Sequence, residues 1–143
     1  MIIDGKNLSY IEINEMIKNS KEKEIILENL DGKRYIGNKI KNKKLVIRGN
    51  LGSKAGKELE ETEIFLHGNC QDAIGDSMKS GKIIVEGNCK DATGYSMQGG
   101  KILVLGNADI RVAEMRAIAR EYFGFEKTDF EFITDYEKVK NAG

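Results

Sequence analysis

The chain has 143 residues, the length of one ordinary domain with room for a buried core. Its 23 basic and 23 acidic residues give a formal net charge of zero and are interspersed, so the electrostatic footprint of a nucleic-acid or membrane-surface protein is lacking. No apolar run is long enough to span a membrane, and residues 1–4 lack the basic and apolar regions of a secretory signal. We therefore expect a cytoplasmic protein with a single domain over residues 1–143.

The first predicted element is an amphipathic helix over residues 9–20. Ser9 and Glu12 have the spacing of a capping box, which satisfies backbone N–H groups at a helix start. The apolar residues of this helix, set among Glu, Asn and Lys, are Ile11, Met16 and Ile17. We expect the helix to cap the N-terminal end of the repeats that follow.

Residues 25–106 repeat with a period of 19 residues. The segment 64–82 is repeated almost position for position by 83–101, while the first unit, 25–44, is slipped by one residue. Such a period indicates a solenoid, in which each unit buries its apolar face by stacking on its neighbours. The recurring positions are the pairs Gly49–Asn50, Gly68–Asn69, Gly87–Asn88 and Gly106–Asn107, the second glycines Gly37, Gly56, Gly75 and Gly94, and the long apolar residues Ile40, Leu59, Met78 and Met97.

Each unit begins with a strand of alternating pattern. A Gly-Asn pair suited to positive φ follows, then a corner of small residues and a long apolar residue that points back inside. The inward-facing strand residues are Leu45/Ile47, Ile64/Leu66, Ile83/Val85 and Ile102/Val104. Three short sides per unit predict an all-β solenoid, a short parallel β-helix of about five coils in which residues 19 apart stack on one another.

The predicted handedness comes from excluding a left-handed rival. A left-handed β-helix of hexapeptide repeats needs an aliphatic residue at every sixth position, and stepping by six from Ile64 reaches Cys70, Asp76 and Lys82. The units also lack the Leu-x-x-Leu-x-Leu signature of leucine-rich repeats. We therefore predict a right-handed β-helix.

Residues 107–143 depart from the repeat and predict an α/β lid. Asp109 begins a predicted helix that ends at Gly124, and residues 130–133 form a predicted short strand. The apolar residues on one face of that helix are Val112, Met115, Ile118 and Tyr122. We expect this segment to cover the last coil, whose unpaired strand edge would otherwise promote aggregation.

An apolar ladder lies on the outward side of the predicted strands. It consists of Val46, Phe65, Ile84 and Leu103. A solitary β-helix would carry polar residues there, so the N-terminal helix, the C-terminal lid or a partner protein, including a second copy of this chain, should cover it. The sequence leaves cover from within and cover by a partner open, and the ladder is a candidate docking surface.

Two serines come close to a nucleophile elbow. Ser77 and Ser96 stand at the elbow spacing after a glycine, but Lys79 and Gln98 occupy the place of the closing glycine that the strained turn requires. The single histidine, His67, faces away from the core by strand alternation. A serine hydrolase needs a base within hydrogen-bond reach of its nucleophile, so we do not expect one here.

Cys70 and Cys89 occupy equivalent positions in adjacent units, as do Asp72 and Asp91 two residues later. Stacked thiols and carboxylates could bind a soft metal, but zinc and iron–sulfur sites draw four ligands from spaced pairs, and the chain has two cysteines. Repetition explains the coincidence, so we favour paired structural thiols and expect no metal or other cofactor. The stacking distance also permits oxidation to a disulfide.

The asparagines of the Gly-Asn pairs form a predicted ladder. Stacked Asn amides hydrogen-bond along a solenoid, which favours a structural role for them over a ligand shelf. The glycines match neither a dinucleotide-binding fingerprint nor a P-loop, so no nucleotide site is expected.

The motif Gly-Asn-x-x-Asp-x-x-Gly-x-x-Met-x-x-Gly-x-Ile-x-Val occurs at residues 68–85 and 87–104. It resembles the GXGXG repeat found in the C-terminal domain of the glutamate synthase large chain and in one of the subunits of formylmethanofuran dehydrogenase. The resemblance extends upstream through Glu12-Ile-Asn14 and the segment 31–37, and covers most of residues 10–106. It implies a right-handed β-helix that packs as a scaffold against a flavin- and iron–sulfur-containing synthase domain and a glutamine amidotransferase domain, with no catalytic residue of its own.

What the resemblance implies is a stand-alone scaffold or docking subunit of a glutamate-synthase-like complex, in ammonia assimilation and glutamate biosynthesis. Such a protein is not an enzyme by itself but associates with an oxidoreductase, and its expected partners are synthase and amidotransferase subunits. Two alternatives stay open: a component of formylmethanofuran dehydrogenase, like the subunit that carries this repeat there, and an orphan β-helix that binds a ligand on its outer face. The lack of a base, a nucleophile pair and a metal set favours the scaffold.

Overall fold

A computed structural model describes residues 1–106 and 129–132 of the chain. These residues form a parallel β-solenoid of about four turns, which confirms the predicted all-β solenoid. The sequence predicts about five coils, and the structure has about four turns. The elements are β1 (Ile2–Asp4), α1 (Tyr10–Asn19), β2 (Glu24–Glu28), β3 (Lys44–Arg48), β4 (Thr62–His67), β5 (Gly81–Val85), β6 (Lys101–Val104) and β7 (Asp129–Phe132).

The strands form one parallel sheet whose spatial order is the chain order, β1 to β7. Leu45 pairs with Ile64 and Ile64 with Ile83, at the predicted period of 19 residues. Ile25 pairs with Leu45, a step longer by one residue, which confirms the slip of the first unit. Each strand therefore lies directly over its equivalent in the next coil.

The core fills the interior of the coils. The inward-facing strand residues predicted from alternation, the first of which is Leu45 and the last Val104, are all at most 1% exposed. The corner residues Ile40, Leu59, Met78 and Met97 are buried as well. Burial of aliphatic side chains on two sides of each coil supplies the main stabilisation, because removing apolar surface from water contributes roughly 25 cal/mol per Å².

The corner that follows each strand depends on residues with positive φ. In one coil these are Ala73, Gly75 and Ser77, with φ of 59°, 72° and 56°. Their N–H groups donate alternately to the next coil and the previous one: Ala73 to Asp91 O at 2.8 Å, and Gly75 to Ala55 O at 2.8 Å. The corner is therefore a hydrogen-bonded side of the coil in its own right, and the predicted second glycines stand at its centre.

The prediction that the Gly-Asn pairs adopt positive φ is mostly wrong. Among their described glycines only Gly49 has it, with φ of 118°. A Cβ on Gly68 would collide with the carbonyl oxygen of Gly49, and the N–H of Gly87 donates to Gly68 O at 2.9 Å. Glycine is needed at these positions because successive backbones approach one another too closely for a side chain.

Helix α1 lies in the connection between β1 and β2. Its capping box forms as predicted, with the Ser9 hydroxyl accepting from the N–H of Glu12. The predicted buried face is partly wrong, because Ile11 and Met16 are exposed. The buried residues are Ile13, Asn14 and Ile17, and the two isoleucines join the interior core.

A buried amide connects α1 to the first corner. The side-chain nitrogen of Asn14 donates to Tyr35 O at 2.7 Å, and its oxygen accepts from the N–H of Gly37 at 2.8 Å. Both functions of the amide are used, so its burial leaves neither group unpaired. Asn14 therefore fixes how the helix covers the N-terminal end of the core.

Both ends of the sheet continue beyond the repeat. Strand β1, which the sequence pattern does not predict, pairs with β2 and buries Ile3. Strand β7 pairs with β6 and confirms the strand predicted at residues 130–133, one residue earlier than expected. The helix predicted from Asp109 to Gly124, the rest of the lid and Asn107 lie outside the described residues.

The corner geometry predicts a specific stability difference. A Cβ on Gly75 would come within 2.7 Å of Cδ1 of Ile102 at a positive φ, so Gly75→Ala should lower the free energy of unfolding by about 1–3 kcal/mol. Ser96 has φ of 53° with an exposed side chain, so Ser96→Gly should change it by less than about 1 kcal/mol. Urea titration measures both, and equal effects would contradict the corner geometry.

Candidate docking surface

The outward face of the sheet carries one continuous apolar column. Strand register extends the predicted ladder by two residues, Ile2 and Ile26, which pair with each other and lead into Val46. We call the whole set the central column: Ile2, Ile26, Val46, Phe65, Ile84 and Leu103. The sequence pattern does not reveal the first two because β1 precedes the repeat and the first unit is slipped by one residue.

Charged columns border the central column on both sides. Two residues earlier in each strand is the leading column: Glu24, Lys44, Glu63, Lys82 and Lys101. Two residues later is the trailing column: Asp4, Glu28, Arg48, His67 and Glu86. Within the trailing column Arg48 Nη1 lies 2.7 Å from Glu28 Oε1, and His67 Nδ1 lies 2.7 Å from Glu86 Oε2. These charges pair along the column rather than across the apolar strip.

The central column is only partly covered by the described residues. Ile2 is 59% exposed, Val46, Phe65 and Ile84 are half-buried, and Leu103 is buried. The ammonium groups of Lys44 and Lys82 lie 5.2 and 6.0 Å from the centroid of the Phe65 ring. Lysine side chains from both neighbouring strands thus shield this ring by cation–π contact and by their aliphatic stems.

The N-terminal helix is not what covers the ladder. Its buried residues Ile13 and Ile17 belong to the interior core cluster, and Asn14 bonds the corner of the first coil. Leu103 pairs with Glu131 of β7, so the last coil is followed by a further strand at this edge. The N-terminal helix is therefore excluded as the element that covers the ladder. The predicted helix of the C-terminal lid lies outside the described residues.

The near-elbow serines have positive φ for a structural reason. Ser77 and Ser96 share their column and their conformation with Lys39 and Glu58, with φ between 53° and 57° in all four. The Ser77 hydroxyl donates to Asp76 Oδ1 at 2.8 Å, whereas His67 is engaged with Glu86 on the strand face. No Ser–His contact therefore occurs within residues 1–106.

The described part of the predicted asparagine ladder, Asn50, Asn69 and Asn88, is linked by hydrogen bonds from each backbone N–H to the preceding amide. Oδ1 of Asn50 accepts from the N–H of Asn69 at 2.9 Å, and Oδ1 of Asn69 accepts from the N–H of Asn88 at 2.8 Å. Each amide thus satisfies a backbone donor of the next coil, which supports the structural role over the ligand shelf.

The two cysteines meet inside the solenoid. Cys70 and Cys89 are 2% and 5% exposed, and their sulfur atoms lie 2.7 Å apart. Contact with Cys89 and burial raise the pKa of the Cys70 thiol above its ordinary value. Within the described ranges no group of three or more His, Cys, Asp and Glu side chains is placed to hold a metal ion.

A cluster of cations and aromatic rings marks the junction of α1 with the first coils. The guanidinium of Arg34 lies 5.9 Å from the ring centroid of Tyr10 and 5.7 Å from that of Tyr35, and Lys54 Nζ lies 6.0 Å from Tyr35. Arg34, Tyr35 and Lys54 line an open cleft of about 380 Å³. Sequence reasoning missed this cluster, although Tyr35 and Lys54 are equivalent positions of the repeat.

No protein-family model, no curated protein and no solved structure matches this chain. The resemblance to the GXGXG repeat therefore rests on the sequence pattern alone. In the part of the chain that the structure describes, no helix is long and apolar enough to cross a membrane.

These contacts predict the outcome of an esterase assay. With the Ser77 hydroxyl bound to Asp76 and no histidine beside it, activation of a serine nucleophile is not expected. Turnover of a p-nitrophenyl ester should stay at the same background rate in the wild type, Ser77→Ala and Ser96→Ala. Turnover that either substitution abolishes would show that a serine is the nucleophile after all.

Proposed function

We propose that this protein is a non-catalytic cytoplasmic scaffold that docks a protein partner on its central column. The observation that carries the proposal is the apolar strip itself, which continues without a polar interruption from Ile2 to Leu103 on the outward face of the sheet. Protein interfaces combine such an apolar centre with a polar rim, and the two charged columns supply the rim.

Phe65 is the expected anchor of this surface. It lies in the middle of the column between Val46 and Ile84, and aromatic residues near the centre of an interface carry much of the binding energy. The lysines over its ring have flexible side chains. A partner can displace their ammonium groups toward the rim while the ring stays in place.

The charges favour one kind of partner surface. The leading column contains Lys82 and Lys101 in succession, after the alternating signs of Glu24, Lys44 and Glu63, and Asp129 of β7 follows Lys101 in register. A partner with an apolar strip bordered by carboxylates on that side would be electrostatically complementary. We therefore propose an acidic-bordered apolar protein surface as the occupant.

The partner's identity is proposed from the GXGXG resemblance. We infer a glutamate-synthase-type oxidoreductase, with a flavin- and iron–sulfur-containing synthase chain and a glutamine amidotransferase chain, acting in glutamate biosynthesis. The alternative is that the partner complex is a formylmethanofuran dehydrogenase. In either complex this chain would position other subunits and perform no chemistry.

The cation–aromatic cleft favours a second candidate, an orphan ligand binder. Arg34 and Lys54 line it, and the ion pairs found within residues 1–106 include neither side chain. A small anion with a planar group would suit two cations beside Tyr35. The cleft is open, however, and specific small-molecule sites bury most of their ligand, so the scaffold is preferred.

Co-purification from the native host tests the scaffold. Tagged wild-type protein should recover a flavin- and iron–sulfur-containing synthase chain and an amidotransferase chain, identified by mass spectrometry and flavin absorbance. Phe65→Asp should reduce that recovery at least tenfold, because an interface anchor carries about 2 kcal/mol or more. Tyr95→Asp is the matched control, since this exposed aromatic residue lies in a corner rather than on the central column.

Circular dichroism and urea titration establish that both variants remain folded before recovery is compared. Equal recovery with Phe65→Asp and Tyr95→Asp would place the interface elsewhere. Recovery of the tagged chain only as a monomer or homo-oligomer, in salt that preserves other complexes, would overturn the assignment and favour the ligand binder.

A further inference from the structure

The thiols of Cys70 and Cys89 occupy one column of the interior. The equivalent residue in the preceding coil is Leu51, which pairs with Cys70 in a parallel bridge and is buried. The column therefore belongs to the apolar core, and two of its members are cysteines where an aliphatic residue would fit. Their contact follows from the 19-residue register and not from a turn between them.

Hydrogen bonds between the two coils fix the backbone beside this pair. The N–H of Cys70 donates to the carbonyl of Asn88 at 3.0 Å, and the neighbouring N–H of Asn88 donates to the side chain of Asn69 at 2.8 Å. Adjacent parallel strands are about 4.8 Å apart, which falls inside the Cα separation that a disulfide spans. With the two sulfur atoms already in contact, a covalent bond requires no rearrangement of the coils.

We propose that Cys70 and Cys89 are a thiol–disulfide modification site, at which a bond between the sulfurs ties two neighbouring coils together. The oxidant is a low-molecular-weight disulfide. One cysteine thiolate attacks it, forms a mixed disulfide and releases one small thiol; the other cysteine then attacks the protein sulfur and releases the second. The two protein thiols lose two protons and two electrons, and the oxidant is reduced to two thiols.

Burial controls how this site reacts. Both thiols are almost completely inaccessible, and the raised pKa of Cys70 keeps it protonated in the closed solenoid. Reaction therefore proceeds through local opening of the coils and is slow, whereas the closed state favours the second step because the sulfurs are adjacent. The pair should form an intramolecular bond in preference to a stable mixed disulfide.

The disulfide would link the two coils that carry the middle of the proposed docking surface. Cys70 follows Phe65 by five residues and Cys89 follows Ile84 by five, so the crosslink ties together the two coils that present these side chains. It also constrains the unfolded chain over a loop of about 20 residues, which should raise the melting temperature by about 10 °C. The modification site itself stands independently of the docking proposal.

The test compares reduced and oxidised forms of the full chain. Native protein is incubated with oxidised glutathione, the remaining thiols are blocked with iodoacetamide, and the product is analysed by intact and tryptic mass spectrometry. We expect a monomer lighter by two hydrogens with peptides 58–79 and 83–90 joined, because trypsin cleaves at Lys79 and Lys82 between the cysteines. Its melting temperature should rise, and dithiothreitol should reverse both changes.

Cys70→Ala and Cys89→Ala should each lose the joined peptides and the rise in melting temperature. The wild-type comparison with and without oxidant stands alone if either variant fails to fold. Three results would overturn the proposal: thiols that stay reduced under native conditions, glutathione adducts or crosslinked dimers as the main product, and a joined monomer whose melting temperature is unchanged or lower.

Discussion

Backbone hydrogen bonds between successive coils hold residues 19 positions apart directly above one another, and one residue more in the first coil. This register applies to the strands and to the corners, where Ala73 and Gly75 donate in opposite directions along the solenoid. Any side chain is therefore surrounded by its equivalents from neighbouring units. A residue type that recurs at one position of the repeat therefore forms a column along the solenoid. Each column acts as one surface or one core layer.

The same stacking has different consequences inside and outside the coils. Inside, aliphatic columns form the core and two thiols are brought into contact. On the surface of the coils, the exposed amides of Asn50 and Asn69 satisfy backbone donors of the next coil. Outside, the apolar column is exposed at Ile2 and partly shielded by lysines at Phe65, and it lacks the polar character of a solvated strand face. An interior column is explained by folding alone, whereas the exterior one is the surface that the proposed partner would cover.

The 19-residue period of the sequence predicts the features that depend on stacking of the coils. It does not predict the structure of segments outside the repeat. The core residues, the corner glycines and the Asn ladder follow from it. Strand β1 was missed because three residues ahead of a helix carry no periodic signal. The buried face of α1 was partly wrong because Asn14 replaces an apolar residue there and is satisfied by Tyr35 and Gly37, contacts between distant segments that no local pattern reveals.

Nuclear Overhauser effects between methyl groups report on the register of the coils. In protein with labelled Ile, Leu and Val methyl groups, the stacked register predicts cross-peaks that connect Leu45 with Ile64, Ile64 with Ile83 and Ile83 with Ile102 inside the coils. It also predicts an Ile25–Leu45 cross-peak at the longer first step. Cross-peaks at any other constant spacing, or contacts between Ile84 and the interior residues, would contradict the stacked arrangement.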